Sequence, residues 1–121
     1  KCLKMKIRID NILKMSTNKI YGGIHYRTRT QHKENYRLIT KTIFNKLEPI
    51  EGKVDLSFTF YFAKNALDSS NCSYMAKMIE DCLVEYGVLK NDTIKYVGKF
   101  SLTSFKSENK EKDYCILEIL T

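Results

Sequence analysis

The 121 residues carry 21 Lys and Arg against 14 Asp and Glu, a net charge of +7, with 43% hydrophobic content. That is enough apolar material for one core and too little chain for two comfortable domains, so a single domain over 1–121 is expected. No run of about 18 apolar residues occurs, and no charged start precedes an apolar stretch with a small-residue cleavage site, which argues against a membrane span and against secretion.

The four cysteines, Cys2, Cys72, Cys82 and Cys115, form no CxxC pair and no His/Cys cluster. Neither a zinc site nor a disulfide framework is signalled, and reduced thiols in a cytoplasmic setting are expected. The charge is unevenly spread. Residues 1–47 hold twelve Lys and Arg against Asp10 and Glu34 alone, whereas the remaining 74 hold nine basic and twelve acidic groups. A surplus of this kind favours a polyanionic partner, although a lysine-rich solvated surface has the same composition.

Along the chain, Met5, Ile7 and Ile9 alternate with Lys6, Arg8 and Asp10, which predicts a half-buried strand running on into Ile12 and Leu13. Residues 16–34 lack apolar periodicity and contain a Gly-Gly pair among Tyr, His and Arg, the composition of a long loop. Tyr36, Ile39, Ile43 and Leu47 then recur at helical spacing, predicting a helix from about Thr30 to Leu47 with Thr30 as its cap. Val54, Leu56, Phe58, Phe60 and Phe62 alternate with polar or smaller residues, the clearest strand in the chain. Met75, Met78, Ile79, Cys82, Leu83 and Tyr86 mark the buried stripe of a second helix, stopped by Gly87. Two more strands are expected, Ile94 to about Phe105 and Tyr114 to Leu120. The order is β-α-β-α-β-β, an α+β domain.

The second helix carries the chemistry. Lys77, Glu80, Asp81 and Val84 are expected to project away from its apolar stripe, and Lys77 with Asp81 is at least a surface i, i+4 pair worth about 0.2–0.5 kcal/mol. Before the helix stand Asp68, Ser69, Ser70 and Asn71, all capping residue types, and after it Asn91 and Asp92, common in turns. Read together, Asp68 and Asp92 are hard oxygen ligands for Mg²⁺, and Lys77 is a cation able to stabilise charge developing at phosphorus. A helix of about 14 residues is roughly 21 Å long, so acids beyond its two ends meet only if the chain doubles back or a second subunit supplies one. Both routes remain open at this stage.

These positions resemble those of the RusA-type Holliday junction resolvases of phages and prophages. The family pattern runs Asp, x, Asp, Asn, then Lys four residues before Asp-x-Leu, a Gly, and an Asp-Asp pair ahead of a strand. This chain reads Asp68-Ser-Ser-Asn71, Lys77, Asp81-Cys-Leu83, Gly87 and Asn91-Asp92. The segment STNKIYGGIHYRTR is similar to the family's N-terminal loop. The resemblance spans nearly the whole chain. It implies a two-layer fold with a mixed four-stranded sheet and two helices, Asp68, Lys77 and Asp92 as catalytic residues, and Asp68, Asp92 and Asp81 as ligands for Mg²⁺ or Mn²⁺. It implies DNA contacts through Asn18, Lys19, Tyr21, His25, Arg27, Arg29 and Lys33, with Ser16 at the head of that loop and Ser70 and Asn71 supporting the site. A homodimer nicking four-way DNA junctions symmetrically, in the cytoplasm of a bacterial host or phage-infected cell, is the activity it implies.

The chain departs from the family pattern at three points. Ser70 replaces the second aspartate, Asn91 replaces the first acid of the later pair, and about three extra residues separate Asn71 from Lys77. The insertion is accommodated if the helix begins near Ser73, and Glu80 or Asp81 is left to supply the ligand lost at Ser70. The rival expectation is a junction-binding module impaired in catalysis. A third is an unrelated α+β nucleic-acid-binding domain whose acids are helix caps.

Overall fold

The computed structural model describes residues 2–23, 26–108 and 112–121. Its elements are β1 (Leu3–Ile9), α1 (Thr17–Tyr21), α2 (Tyr26–Phe44), β2 (Val54–Phe62), a 3-10 turn (Ser69–Cys72), α3 (Ser73–Glu85), β3 (Val97–Lys106) and β4 (Tyr114–Leu120). The strands form one mixed sheet in the order β1-β4-β2-β3. β4 is antiparallel to both β1 and β2, while β3 runs parallel to β2 on the far edge. Parallel neighbours require a crossover between them, and the α3 segment supplies it.

Strand alternation decides where the core lies. Val54, Leu56, Phe58, Phe60 and Phe62 of β2 are fully buried, as are Cys115, Leu117 and Ile119 of β4, whereas Ser57, Thr59 and Tyr61 are half-buried. Side chains alternate across a strand, so one sheet face is covered and the other is more open. The covering layer brings Tyr36 and Phe44 from α2 and Met75, Ile79 and Leu83 from α3, all fully buried. Tyr36 hides its ring yet donates its hydroxyl to the Leu13 carbonyl at 2.8 Å, satisfying a group that is costly to bury alone. On the open face, Phe105, Tyr61 and Tyr114 stack in a row, with the Arg8 guanidinium 3.8 Å from the Tyr114 ring centre.

Three sequence expectations need correction. β1 stops at Ile9 because Asn11 takes a left-handed φ of 61°, which turns the chain before Ile12 and Leu13. Residues 16–34 are not a long loop: Thr17–Tyr21 is helical, and α2 begins at Tyr26 rather than Thr30. Periodicity missed that first turn and a half because it reports only a buried stripe, and Arg27, Arg29 and Thr30 face solvent. β3 begins at Val97, not Ile94; the amides of Tyr96 and Val97 both donate to the Thr93 carbonyl at 2.9 Å, forming a turn that leaves Ile94 exposed.

α1 also starts α3. The Thr17 hydroxyl accepts the Tyr74 amide at 3.0 Å and bonds the Asn71 carbonyl at 3.1 Å, so one of the free N–H groups of the helix start is met from a distant segment. Arg37 bonds Glu85 at 2.8 Å and the Tyr86 hydroxyl donates to the Arg37 carbonyl at 2.9 Å, holding the far end of α3 against α2. α3 is thereby fixed at both ends. Among the described residues, the cysteines are all free thiols, Cys72, Cys82 and Cys115 buried, and no helix is long and apolar enough to cross a membrane.

Candidate functional site

Lys77, Glu80 and Asp81 stand at i, i+3 and i+4 on α3 and share one face of the helix. Asp92 joins them by the return of the chain. Gly87 adopts φ +77°, a conformation that a side chain would strain, and the amides of Val88 and Leu89 both bond the Leu83 carbonyl, at 2.9 and 3.1 Å. Val88 and Leu89 are buried, and the Ile50 amide donates to the Val88 carbonyl at 2.9 Å, so the reversed segment is anchored before it reaches Asn91. The Asn91 side chain then accepts the Asp92 amide at 2.7 Å. Of the two routes open to sequence reasoning, the chain takes the first: Asp92 folds back within the same subunit onto Lys77.

The Lys77 ammonium bonds Glu80 Oε1 at 2.9 Å, lies 3.2 Å from Asp81 Oδ1 and bonds Asp92 Oδ2. One oxygen from each of Glu80, Asp81 and Asp92 lies within 4.8 Å of the others. Glu80 was expected on a solvated face and is instead buried, 5% exposed. Ala76 and Leu83, at i−4 and i+3 from it, are fully buried too, so the covered stripe of α3 is wider than its large apolar residues suggest.

The charges respond accordingly. Partial burial by itself would lower the Lys77 pKa, but its bonds to Asp92 and Glu80 and the charge of Asp81 overcome this and raise it well above the ordinary lysine value. Burial raises the Glu80 carboxyl, with Lys77 pulling the other way. The bond from Lys77 lowers Asp92, against a smaller opposing effect of burial. Lys77 is therefore a fixed cation throughout the neutral range.

Asp68 is placed differently. It is exposed at the start of the 3-10 turn, makes no side-chain capping bond, and stands outside the Glu80, Asp81 and Asp92 trio. Its carboxylate has no partner among the described residues; its carbonyl accepts the Asn71 amide at 2.9 Å and its charge contributes, after burial, to pushing the Cys72 thiol up to about 11. Ser70 is exposed and Asn71 half-buried on the same turn, and Ser69 instead accepts the Ser104 amide of β3 at 3.1 Å. The helix begins at Ser73, as expected, and Ser69–Cys72 forms the turn ahead of it.

Of the expected DNA contacts, Asn18 and Lys19 are exposed on α1, Tyr21 closes that helix, and Arg27, Arg29 and Lys33 are exposed along α2. They ride on helices rather than on a loop. His25 lies outside the described residues. Sequence reasoning passed over Lys14, Thr28 and His32, which line a pocket beside α1, because 16–34 was expected to be a loop and only the helical geometry turns Thr28 and His32, one turn apart, toward Lys14.

The three carboxylates gathered around Lys77 are hard oxygen donors of the chemical type a divalent ion takes. No protein-family model matches the chain, and no curated protein matches it.

Proposed function

We propose that the chain is a metal-dependent endonuclease of the RusA type, acting as a homodimer on four-way DNA junctions. The observation that carries this reading is the return of Asp92 to Lys77, which joins two positions of the family pattern 15 residues apart into one site. Asp92 and Asp81, with Glu80 in the place left by Ser70, are the residues that would hold Mg²⁺ or Mn²⁺. When bound, such an ion activates water for attack at phosphorus and stabilises the departing oxygen. Lys77, protonated at neutral pH, stabilises charge on the phosphate, and the buried Glu80 carboxylate fixes the direction of its ammonium. Asp68, exposed and without a side-chain bond among the described residues, is free to meet a metal ion carried in with the incoming strand. The basic residues of α1 and α2 grip backbone phosphates, and two-fold pairing presents equivalent sites to a symmetric substrate.

A second reading, a junction-binding module without cleavage, draws on the position of Asp68 outside the trio and on the engagement of Lys77 by all three acids. A synthetic four-way junction incubated with the dimer and Mg²⁺ separates the two. Paired symmetric nicks by the wild type, lost in Asp92→Asn and Asp68→Asn while junction binding persists, support the enzyme. Tight binding without nicks, in Mg²⁺ and in Mn²⁺, supports the module instead. Equal affinity for junction and plain duplex rejects both.

A further inference from the structure

We propose that the pocket enclosed by α1, the first turns of α2 and the loop after β2 receives one unstacked nucleotide of a nucleic-acid strand, its base on the apolar floor and its phosphate on the lysine rim. The pocket has a volume of about 440 Å³ and is lined by Lys14, Met15, Ser16, Lys19, Ile20, Thr28, His32, Asn65 and Leu67. That volume falls in the usual range for small-molecule sites, roughly 300–1,000 Å³. Buried Met15 and Ile20, with half-buried Leu67, make the floor. Two ammonium groups, two hydroxyls, an imidazole and an amide make the rim.

No carboxylate is among the lining residues, so the pocket favours an anion and disfavours a cation. Lys14 donates to the carbonyls of Lys64 at 2.9 Å and Asn65 at 3.3 Å, which uses two of its three N–H donors and leaves one. Lys19 makes no ion pair among the described residues. His32 Nδ1 bonds the Tyr74 hydroxyl at 3.2 Å, and its Nε2 has no partner among the described residues. A flat ligand with apolar faces, a hydrogen-bonding edge and an attached phosphate satisfies floor and rim together. A sugar phosphate would leave the floor unmatched, and a hydrocarbon would leave the rim unmatched.

The pocket adjoins Asp68 through the chain itself. Leu67 forms part of its floor and the next residue is Asp68, whose carboxylate has no partner among the described residues. The inference thus deepens the nuclease reading, by giving the strand a place beside Asp68. It is tested by binding alone, so a failure of cleavage does not touch it.

The test compares three labelled DNAs in EDTA by fluorescence anisotropy: a short single strand, its plain duplex, and the duplex with one unpaired base. Thr28→Phe fills the pocket without altering charge. It should weaken binding of the single strand and the bulged duplex by about tenfold or more, which is about 1.4 kcal/mol, and leave the plain duplex unchanged. Lys19→Ala, at an exposed helix position, should weaken single-strand binding and reduce its salt slope by about 0.7, the value for one lost phosphate contact. Thermal melting of each variant checks that the fold is kept. Unchanged single-strand binding by both variants, or an equal loss on the plain duplex, overturns the proposal. So does competition by a free deoxynucleoside monophosphate as tight as that of the oligonucleotide, which would assign the pocket to a small metabolite.

Discussion

Replacing Lys77 by Met keeps the side-chain stem and removes the charge that three acids share, so its cost divides by partner. Asp81 and Asp92 are 29% and 32% exposed at the side chain, and Lys77 itself is 49% exposed. Solvent screens such pairs, and each contributes about 0.2–1 kcal/mol. Glu80 is only 6% exposed at the side chain and has no other hydrogen-bond partner among the described residues. Without Lys77 it becomes an unpaired buried carboxylate, which costs several kcal/mol unless it takes up a proton. Protonation sets a ceiling of about 1.4 kcal/mol for each unit between the ordinary glutamate pKa of about 4.3 and the working pH, or roughly 3.7 kcal/mol at pH 7. A deficit of about 2–4 kcal/mol at pH 7 is therefore expected.

The pH dependence gives the sharper check. A carboxyl whose folded pKa lies above its unfolded value contributes its full stability below the unfolded value and loses it as pH rises through the folded one. Glu80 is already raised, and removing Lys77 raises it further, so the deficit of the variant grows as pH climbs above about 4.3. Asp92 has the opposite sign: Lys77 lowers it, so its contribution is present above the ordinary aspartate value and disappears as acid takes the pH below it. Urea unfolding followed by far-UV circular dichroism should show a deficit at about pH 7 that shrinks to about 1 kcal/mol near pH 4.5. Adding Glu80→Gln to the lysine variant should recover much of the loss at neutral pH. A deficit that is equal at both pH values, or absent at pH 7, would refute the assignment of Glu80 as a buried, lysine-dependent carboxylate.

Two further outcomes test the site and the sheet. If the acidic trio holds a divalent ion, millimolar Mg²⁺ or Mn²⁺ should raise the melting temperature of the wild type, more so of Lys77→Met, and EDTA should reverse both; Asp92→Asn should show the smallest shift. At Gly98 a Cβ would lie 2.7 Å from Asp55 Oδ1 and 3.1 Å from Lys53 Cε, and Asp55 is buried and holds the Lys99 amide at 2.8 Å. Gly98→Ala should therefore lose about 1–3 kcal/mol in the same urea assay, because the carboxylate cannot yield without releasing that amide.

Which elements were legible follows from what each buries. β2, α3 and β4 lie where the sequence put them because each presents an uninterrupted apolar face to the core, at period 2 or 3.6. The early turns of α2 escaped notice for the converse reason: their residues face solvent, and the helix is carried by Tyr36, Thr40 and Phe44 further on. Asn11 and the Thr93 turn trimmed two strands through backbone geometry that no hydrophobic pattern encodes. At the site, the spacing of Lys77 and Asp81 was readable from helical geometry alone. The arrival of Asp92 was not, because Gly87 was legible as a helix stop, whereas the direction of the following chain depends on Val88 and Leu89 burying themselves beneath the Leu83 carbonyl. Capping was the plainest reading of Asp68, and its side chain makes no capping bond; Thr17, 57 residues before Tyr74, meets that helix amide instead.

Charge ties the pocket and the acidic cluster to a single physical requirement. Lys77 with Glu80, Asp81 and Asp92 sums to −2 when all four are ionised, inside a chain of net +7 whose cations crowd the first 47 residues. On the reading proposed here, a nucleic-acid strand is drawn to α1 and α2 by that surplus and repelled by the cluster, so its phosphate cannot approach Lys77 until a divalent cation offsets the two negative charges. Binding and cleavage then have different demands: binding needs the basic helices and low salt, and cleavage needs the metal as well. Asp92→Asn halves the local negative charge while removing a metal ligand. Its junction binding in EDTA should thus equal or exceed that of the wild type even as nicking is lost, a pairing of effects that a merely unfolded variant cannot produce.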